Sequence, residues 1–416
     1  MTSFPHILAS LGILTTATIC LSSCGYYVFA VFCARSFFRR PLRRNDGFTP
    51  PITVLKPLCG LDWGAYENFA SFCRQNYPEC QIIFGSDDEA DPALVEARGI
   101  ARDFPERDIR VVVHRGPRTP NPKVGLLATM AAEASHALLL ISDSDIRVEE
   151  DHLRRLVAPM VDPEVGVVTC LYRSGAEGFA SSLDALGLST DFQPAVLVAH
   201  RLEGISFGLG SGILIRRAAL DAVGGFAAIA DYLSDDYLLG HLPVRAGYRA
   251  ELVAEVVRHE LGRSTLRGVL DHQMRWNRGI RSVRPLGYAG LLFNQGTPAS
   301  LLLLAMAWRS PAALVLSATT LSLRLAMAWL IAVRYLRDES ARRSLWLVPV
   351  RDLLGFTLWL GAFLGNSVVW RGRRFRLAAN GRLVPEKVEV CATQETDGHS
   401  RMAERDSATV VGGDEG

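Results

Sequence analysis

Residues 138–148 read LLLISDSDIRV. Four apolar residues run without a break into two carboxylates, Asp143 and Asp145. An apolar run this short predicts a strand buried on both faces, as in a parallel sheet. Working outward, further strands are predicted over 52–55, 81–84, 109–113 and 165–170. Helical spacing falls between them, over 65–75, 92–103, 123–134 and 151–157. Pro92 suits the first turn of its helix, where its missing N–H costs nothing. Regular alternation of strand and helix predicts an α/β domain, a largely parallel sheet with helices on both faces. Residues 180–285 alternate less regularly.

The composition sets limits on the whole. The chain has 416 residues, 49% hydrophobic and 21% charged, which excludes a disordered chain. That length holds one large domain with additions, or two domains. A mean hydropathy of +0.16 is high for a soluble enzyme, so part of the apolar mass is expected in lipid. Lys and Arg number 45 against 43 Asp and Glu, a net charge of +2 that gives no case for nucleic acid as a partner. The eight cysteines include no CxxC pair, so neither a zinc site nor a disulfide framework is expected. That suits a reducing compartment for the polar part.

The apolar mass lies at both ends. Residues 7–32 carry no charge, about 26 residues, enough to cross roughly 30 Å of hydrocarbon. Arg35, Arg39, Arg40, Arg43 and Arg44 follow at once. A cleaved signal peptide has its charge before the apolar run, so residues 1–34 are expected to be an uncleaved transmembrane anchor. The positive-inside rule then places the following domain, 48–285, in the cytoplasm. Residues 286–370 predict transmembrane or interfacial segments, over 288–308, 311–333 and about 345–370, with a basic loop at 334–343. Counting crossings puts the arginines after Trp370 on the outer face, against the rule, so one segment must be re-entrant or interfacial, or the count is off by one. Residues 388–416 are polar and small and are expected to be disordered.

In open α/β sheets ligands bind beyond the carboxyl ends of the strands, and the acidic residues fall there. QIIFGS ends in Asp87 and Asp88, and LLLIS ends in Asp143, Ser144 and Asp145. Two carboxylates in an Asp-x-Asp can approach one hard cation, Mg²⁺ or Mn²⁺, with substrate phosphates completing its shell. The arrangement therefore predicts a site for a metal and a diphosphate. For Asp87 and Asp91 the plainer role, turn former or helix cap, is the expected one. A calcium loop counted from Asp143 fails, with Val148 at position six and Arg154 at position twelve. Asp235 and Asp236 form a second acidic pair, one of which is a candidate general base. Arg275, Arg278 and Arg281, three apart on a helix, predict a cationic strip suited to phosphate oxygens, with Trp276 as a packing surface and Arg281 and Arg284 as a juxtamembrane belt. His259 is expected to be a core histidine rather than a ligand.

These motifs, in this order, resemble the membrane-bound GT-A glycosyltransferases, and more closely the ceramide glucosyltransferase family. The pieces are TVLKPLCGLD (53–62), FGSDDEADPA (84–93), NPKVGLL (121–127), ISDSDIRV (141–148), VTCLYR (168–173), GSGILIRR (210–217), GGF (224–226), LSDDYLLG (233–240), HQMRW (272–276) and WRGRRFRL (370–377). Bacterial hopanoid-biosynthesis-associated transferases share VTCLYR and SDSDIRV. The resemblance covers about residues 48–378. It implies Asp88 near the nucleotide, Asp143 with Asp145 on the metal and diphosphate, and Asp236 as general base. It places Lys123, Arg275 and Trp276 on the donor. Position 272 departs, being His where the family writes Gln or Arg, and Asp87 stands where a neutral residue is expected.

The implied reaction is a single, inverting displacement. The hydroxyl of a membrane lipid attacks the anomeric carbon of a UDP-sugar, with Asp236 taking the proton and a divalent metal and Arg275 steadying the departing UDP. The resemblance further implies a multi-pass protein, of the inner membrane in a bacterium, with its catalytic domain in the cytoplasm. The apolar segments, with an interfacial stretch at 192–198, would deliver the acceptor. A processive polysaccharide synthase needs more transmembrane helices. A polyprenyl-phosphate sugar transferase would need no strong base. A sugar-nucleotide-binding scaffold would not need the full acidic set, and a transporter would need more intramembrane charge than Arg324, Arg351 and Asp352. The sequence identifies neither the sugar nor the choice among ceramide, hopanoid and diacylglycerol. The reading requires that positions 88, 143, 145 and 236 converge on one cleft.

Overall fold

Helix α1 (Phe4–Phe38) is the uncharged run itself, unbroken over 35 residues and ending as the arginines begin. The computed structural model describes residues 4–40, 45, 47–370 and 372–386; Arg43, Arg44 and the expected disordered tail at 388–416 fall outside these. The α/β region follows in chain order as β1 (Ile52–Pro57), α2 (Ala65–Cys73), β2 (Cys80–Ser86), α3 (Pro92–Asp103), β3 (Asp108–Val113) and α4 (Pro122–Ala132). Next come β4 (Leu138–Ile141), β5 (Ile146–Arg147), α5 (His152–Val157), β6 (Val165–Ala176), α6 (Phe179–Gly187) and α7 (Gln193–Glu203). The series closes with β7 (Ile213–Arg216), α8 (Arg217–Asp221), α9 (Asp235–Arg245) and β8 (Arg249–Leu261).

The strands form one sheet in the order β3-β2-β1-β4-β7-β6-β8-β5. β1 pairs in parallel with β2 and β4, β2 with β3, and β6 with β8. β7 runs against β4 and β6, and the two-residue β5 runs against β8. Successive side chains of the central strands enter different cores, as the pleat requires. Ile52, Val54, Ile82, Phe84 and Leu140 join α1, α2, α3 and α5 on one face. Leu55, Ile83, Leu139 and Ile141 meet α4, α8 and α9 on the other. The architecture is thus GT-A-like, a mostly parallel sheet covered on both faces. Each aliphatic side chain buried this way contributes about 1.5–3 kcal/mol, which holds the carboxyl edge of the sheet as a rigid platform.

The remainder is helical, then β. Helices α10 (Leu266–Val283), α11 (Pro285–Gly290), α12 (Gly296–Ala307), α13 (Pro311–Ala328), α14 (Glu339–Ser344) and α15 (Val348–Ala362) lead to strands β9 (Ser367–Trp370), β10 (Arg373–Leu377) and β11 (Leu383–Pro385). Among the described residues three helical stretches, 6–38, 311–335 and 339–362, are long and apolar enough to cross a membrane. A fourth joins Pro285–Asn294 to Gly296–Ala307 across a 49° bend.

Two expectations change here. The last apolar segment was to run to Trp370, but the helix stops at Ala362 and Ser367–Trp370 is the first strand of an antiparallel sheet. Gly365 and Asn366 break it, and Arg281 donates to the Gly365 carbonyl at 3.0 Å. The stretch 192–198, expected at the lipid interface, packs inward, with Pro194, Val196 and Leu197 buried and α1 among the core on which Val196 and Leu197 lie.

Candidate active site

β4 delivers its carboxylates directly. Ser142 extends it by donating its N–H to the Leu55 carbonyl, and a tight turn closed by Ile146 N–H to Asp143 carbonyl leads into β5. The Asp143 carboxylate lies on this turn with 38% of its side chain exposed, receiving Lys123 Nζ at 2.7 Å. Lys123 is fixed at the start of α4, where the Asn121 side chain caps the helix by accepting from Val124 N–H. The same ammonium lies 3.4 Å from Asp235, and Asn121 Nδ2 donates to Tyr232 carbonyl and to Asp235 Oδ1. Asp235 is thereby the buried, structural member of its pair, and Asp236 is the more open one.

Gly210 shows how closely the carboxylates meet. A Cβ there would lie 3.0 Å from Asp143 Oδ2 and 3.3 Å from Asp236 Oδ2. Burial, and then the Asp235 charge, push the Asp236 carboxyl up to about 6, with Lys123 pulling the other way. Burial also raises Asp143, against the pull of Lys123. Lys123 itself is held charged well above the usual range: burial opposes this, and the charges of Asp143, Asp235 and Asp236 overcome it.

Asp145 is held from the other side. His259 Nε2 lies 2.9 Å from its Oδ2, and His259 Nδ1 lies 3.1 Å from Ser174 Oγ. Burial would favour neutral forms of both, yet their mutual attraction lowers the carboxyl and raises the imidazole to about 9. His259, expected as a plain core residue, is a partner of the Asp-x-Asp. Beneath the turn the fully buried Lys56 donates to the Asp143 carbonyl at 2.8 Å and lies over the Phe72 ring at 4.0 Å. Its burial brings the ammonium down to about 7, against the carboxylates of Asp145, Asp143 and Asp62.

A run of rings links this cluster to α10. His259 meets Tyr172 at 5.8 Å, Tyr172 meets Phe192 at 6.0 Å, and Phe192 meets Trp276 at 5.7 Å. Phe192 ends a wide helical turn, Leu188–Phe192, between α6 and α7. His272 packs on Trp276 and reaches Asp184 at 3.5 Å, and Gln273 bonds the other Asp184 oxygen. Arg275 is half-buried and has no hydrogen-bonding or ionic partner among the described residues; burial alone lowers its pKa. The expected cationic strip does not form. Arg278 donates to the Ser367 carbonyl, Arg281 to that of Gly365, and Arg284 pairs with Glu203, which leaves Arg275 as the available guanidinium.

The structure thus brings Asp143, Asp145, Lys123 and Asp236 together, with Trp276 joined to them through the rings. It does not bring Asp88 into the ion-paired cluster. That side chain is exposed at the carboxyl end of β2, where its Oδ1 accepts the Ala90 N–H at 2.9 Å. Asp91 is the cap it was expected to be, accepting from Ala93 N–H and also from Ser86 Oγ; Asp87 is exposed in the same turn. Sequence reasoning missed Lys56, Gly210 and Asp184, and it named Asp235 only as one of two candidates for the base. A charge inside the apolar run ITVLKP and the close glycines of GLGSG (208–212) were the available signals.

Whether these residues suit a hard cation follows from their free oxygens. Asp145 Oδ1 is buried without a partner, and Asp143 is partly open. Among the described residues no group of three or more His, Cys, Asp and Glu side chains forms a cage. Two carboxylates fit a metal whose remaining ligands come from substrate phosphates.

Comparisons with known proteins bear on the family and the fold. Over 88% of its length the chain is 22% identical to ceramide glucosyltransferase 3 of Caenorhabditis elegans, of which the match spans 81%. Over half its length it is 26% identical to ceramide glucosyltransferase 1 of the same organism, spanning 45% of that protein. The mannosyltransferase PcManGT from Pyrobaculum calidifontis, solved with GDP-Man and Mn²⁺, shares the fold with a TM-score of 0.50 at 19% identity, over 84% of this chain and 99% of that one. The family model for glycosyl transferase family 21 matches residues 15–383, and the chain, a glycosyltransferase, belongs to that family.

Proposed function

We propose that this glycosyltransferase moves a sugar from a UDP-sugar to the hydroxyl of a membrane lipid of the ceramide type, with inversion at the anomeric carbon. One observation carries the reading: the carboxylates of Asp143 and Asp236 flank Gly210 beside the Lys123 ammonium. That proximity supports a reading in which a diphosphate-binding group and a proton acceptor serve the same reacting atoms.

Asp236 takes the proton of the attacking hydroxyl. Its raised pKa makes it a stronger base than an ordinary carboxylate while leaving it largely ionised at neutral pH. Lys123 and Arg275 meet the negative charge that grows on the leaving diphosphate. Asp143 and Asp145 would hold a divalent cation, Mn²⁺ or Mg²⁺, which when bound neutralises diphosphate charge. His259 keeps Asp145 ionised and turned, and Lys56 fixes the turn from below. Holding acceptor and donor in line lowers the entropic cost of reaction. The apolar helices support a multi-pass membrane protein. Arg35, Arg39 and Arg40 at the end of α1 support a cytoplasmic catalytic domain, in a bacterium at the inner membrane.

Membranes containing the protein, incubated with radiolabelled UDP-sugars and a panel of ceramide, hopanoid and diacylglycerol, should yield label in the lipid fraction. Label appearing only in a water-soluble polymer, or not at all, would overturn the proposal.

A further inference from the structure

The stretch 339–362 has the length and apolarity of a membrane crossing, yet both its ends are tied to the catalytic domain. At its start Arg173, in β6, donates to the carbonyls of Leu336 and Arg337 at 3.2 and 3.0 Å. Ala176 N–H donates to Ser340 Oγ at 3.2 Å, and Ser189 bonds Asp338. At its finish Arg278 and Arg281 of α10 donate to the carbonyls of Ser367 and Gly365. Leu383 N–H then donates to the Asp231 carbonyl at 2.7 Å, just ahead of the acidic pair. One straight helix cannot leave a membrane face and end on it again. The apolar helices before it are arranged differently, side by side along α1. α12 runs against α1, with Cys20 opposite Ser300 and Gly12 at Met306. α13 runs along α1, with Cys24 opposite Thr320 and Phe38 stacked on Tyr335 at 5.4 Å. Their turn at Arg309–Ser310 therefore lies toward the N-terminal end of α1, away from the domain.

The faces of the helix agree. Its inner face is polar and protein-bound: Arg351 donates to Gln273 at 3.3 Å and Asp352 pairs with Arg324. Its outer face is a row of exposed apolar side chains, Trp346 (73%), Val350, Leu353, Leu360 and Leu364 (85%), at steps of three, four and seven. Arg342 and Arg343 stand exposed just before it. A basic flank, an exposed tryptophan and an apolar row match a helix lying in the boundary between headgroups and acyl chains.

We propose that α14–α15 does not cross the membrane but lies along the leaflet on the catalytic side, its Trp346–Leu364 row in contact with lipid. This rests on the membrane reading above. The chain then crosses three times, through α1, α12 and α13. The helix forms a shelf against α10, which carries Arg275 and Trp276, and a lipid acceptor in that leaflet has its headgroup at the level of the cleft.

Single cysteines at Arg309, Arg342 and Arg374, introduced into the full chain carrying Cys59→Ser and Cys391→Ser, would be labelled with an impermeant maleimide in sealed vesicles of both orientations. The proposal expects Arg342→Cys and Arg374→Cys to label from one side and Arg309→Cys from the other. Opposite sides for 342 and 374 would overturn the shelf while leaving the other crossings intact. All three on one side, or Arg309→Cys labelled only after detergent, would overturn the membrane reading itself. An environment-sensitive fluorophore on Leu353→Cys, with Val350→Cys as the second site, should be quenched by lipids spin-labelled near the headgroup more than by those labelled deep in the chain. Stronger quenching from the deep label, quenching by aqueous iodide alone, or quenching by neither (a face covered by a second copy) would each overturn the lipid contact.

Discussion

Asp236 is the residue on which acceptor chemistry turns, because a lipid hydroxyl must lose its proton whereas a phosphate acceptor need not. Asp236→Asn should lower kcat by about 10²–10⁴-fold, the usual worth of a general base, with little change in KM for the sugar nucleotide. Near-wild-type turnover would point to a phosphate acceptor instead. The reactive form is the carboxylate, so activity should fall as pH drops through about 6, the value to which burial and Asp235 raise this group. Lys123 opposes that rise, so Lys123→Met should move the acid limb of the kcat/KM profile to higher pH; an unmoved limb would assign it to another group. Gly210→Ala tests the shape of the same space. Its Cβ would press on Asp143 Oδ2 at 3.0 Å, so transfer should be lost while the thermal melt stays close to wild type.

At the scale of elements, α10 divides labour between arginines one turn apart. Among the described residues Arg275 has no hydrogen-bonding or ionic partner, whereas Arg278 is spent on the Ser367 carbonyl. Arg275→Met should therefore raise KM for the sugar nucleotide, and Arg278→Met should cost about 1.5–3 kcal/mol of stability, the worth of a charged hydrogen bond, without changing that KM. Thermal unfolding in detergent beside steady-state kinetics separates the two, and a shared effect on KM would restore the strip that the sequence suggested. The i, i+3 spacing showed only that these side chains share a face; which carbonyls lay opposite was set by β9, 84 or more residues on. β1, β2, β4 and the first half of β6 were legible because strands buried on both faces are written as bare apolar runs, whereas the two-residue β5 carries no such signal. β8 was not legible, since RAELVAEVVRHEL, near the sheet edge, carries charges at exposed and buried positions alike. β9 was hidden because its SVVW extends the apolar count past the break at Gly365. Within the site Asp143 and Asp145 stood out as carboxylates ending an apolar strand. The importance of Lys123 came only with the resemblance, and the roles of Asp235 and His259 came only from partners more than a hundred residues away.

For the whole molecule, the parts that look peripheral close the site. The C-terminal strands dock on the segment that precedes the acidic pair: Leu233 N–H donates to the Gly381 carbonyl at 3.1 Å, Leu383 N–H to that of Asp231 at 2.7 Å, and Arg382 pairs with Asp231 at 2.7 Å. The ion pair is exposed and screened by solvent, so Arg382→Ala alone should do little. The backbone bonds and the small core of Val368, Phe375, Leu377 and Leu383, against which Leu233 packs, hold the segment as a unit. A chain ending at Asn366 retains Lys123, Asp143, Asp145, Asp236 and Arg275, yet it frees residues 231–233 and should lose transfer with the membrane helices still inserted. A chain ending at Glu386 keeps every one of these bonds and should stay active. Lipid-fraction labelling of the two truncations in matched membranes checks this. Full activity in the shorter chain would mean that β4 and α4 alone set the cleft, because the base would then keep its place without the C-terminal sheet beneath it.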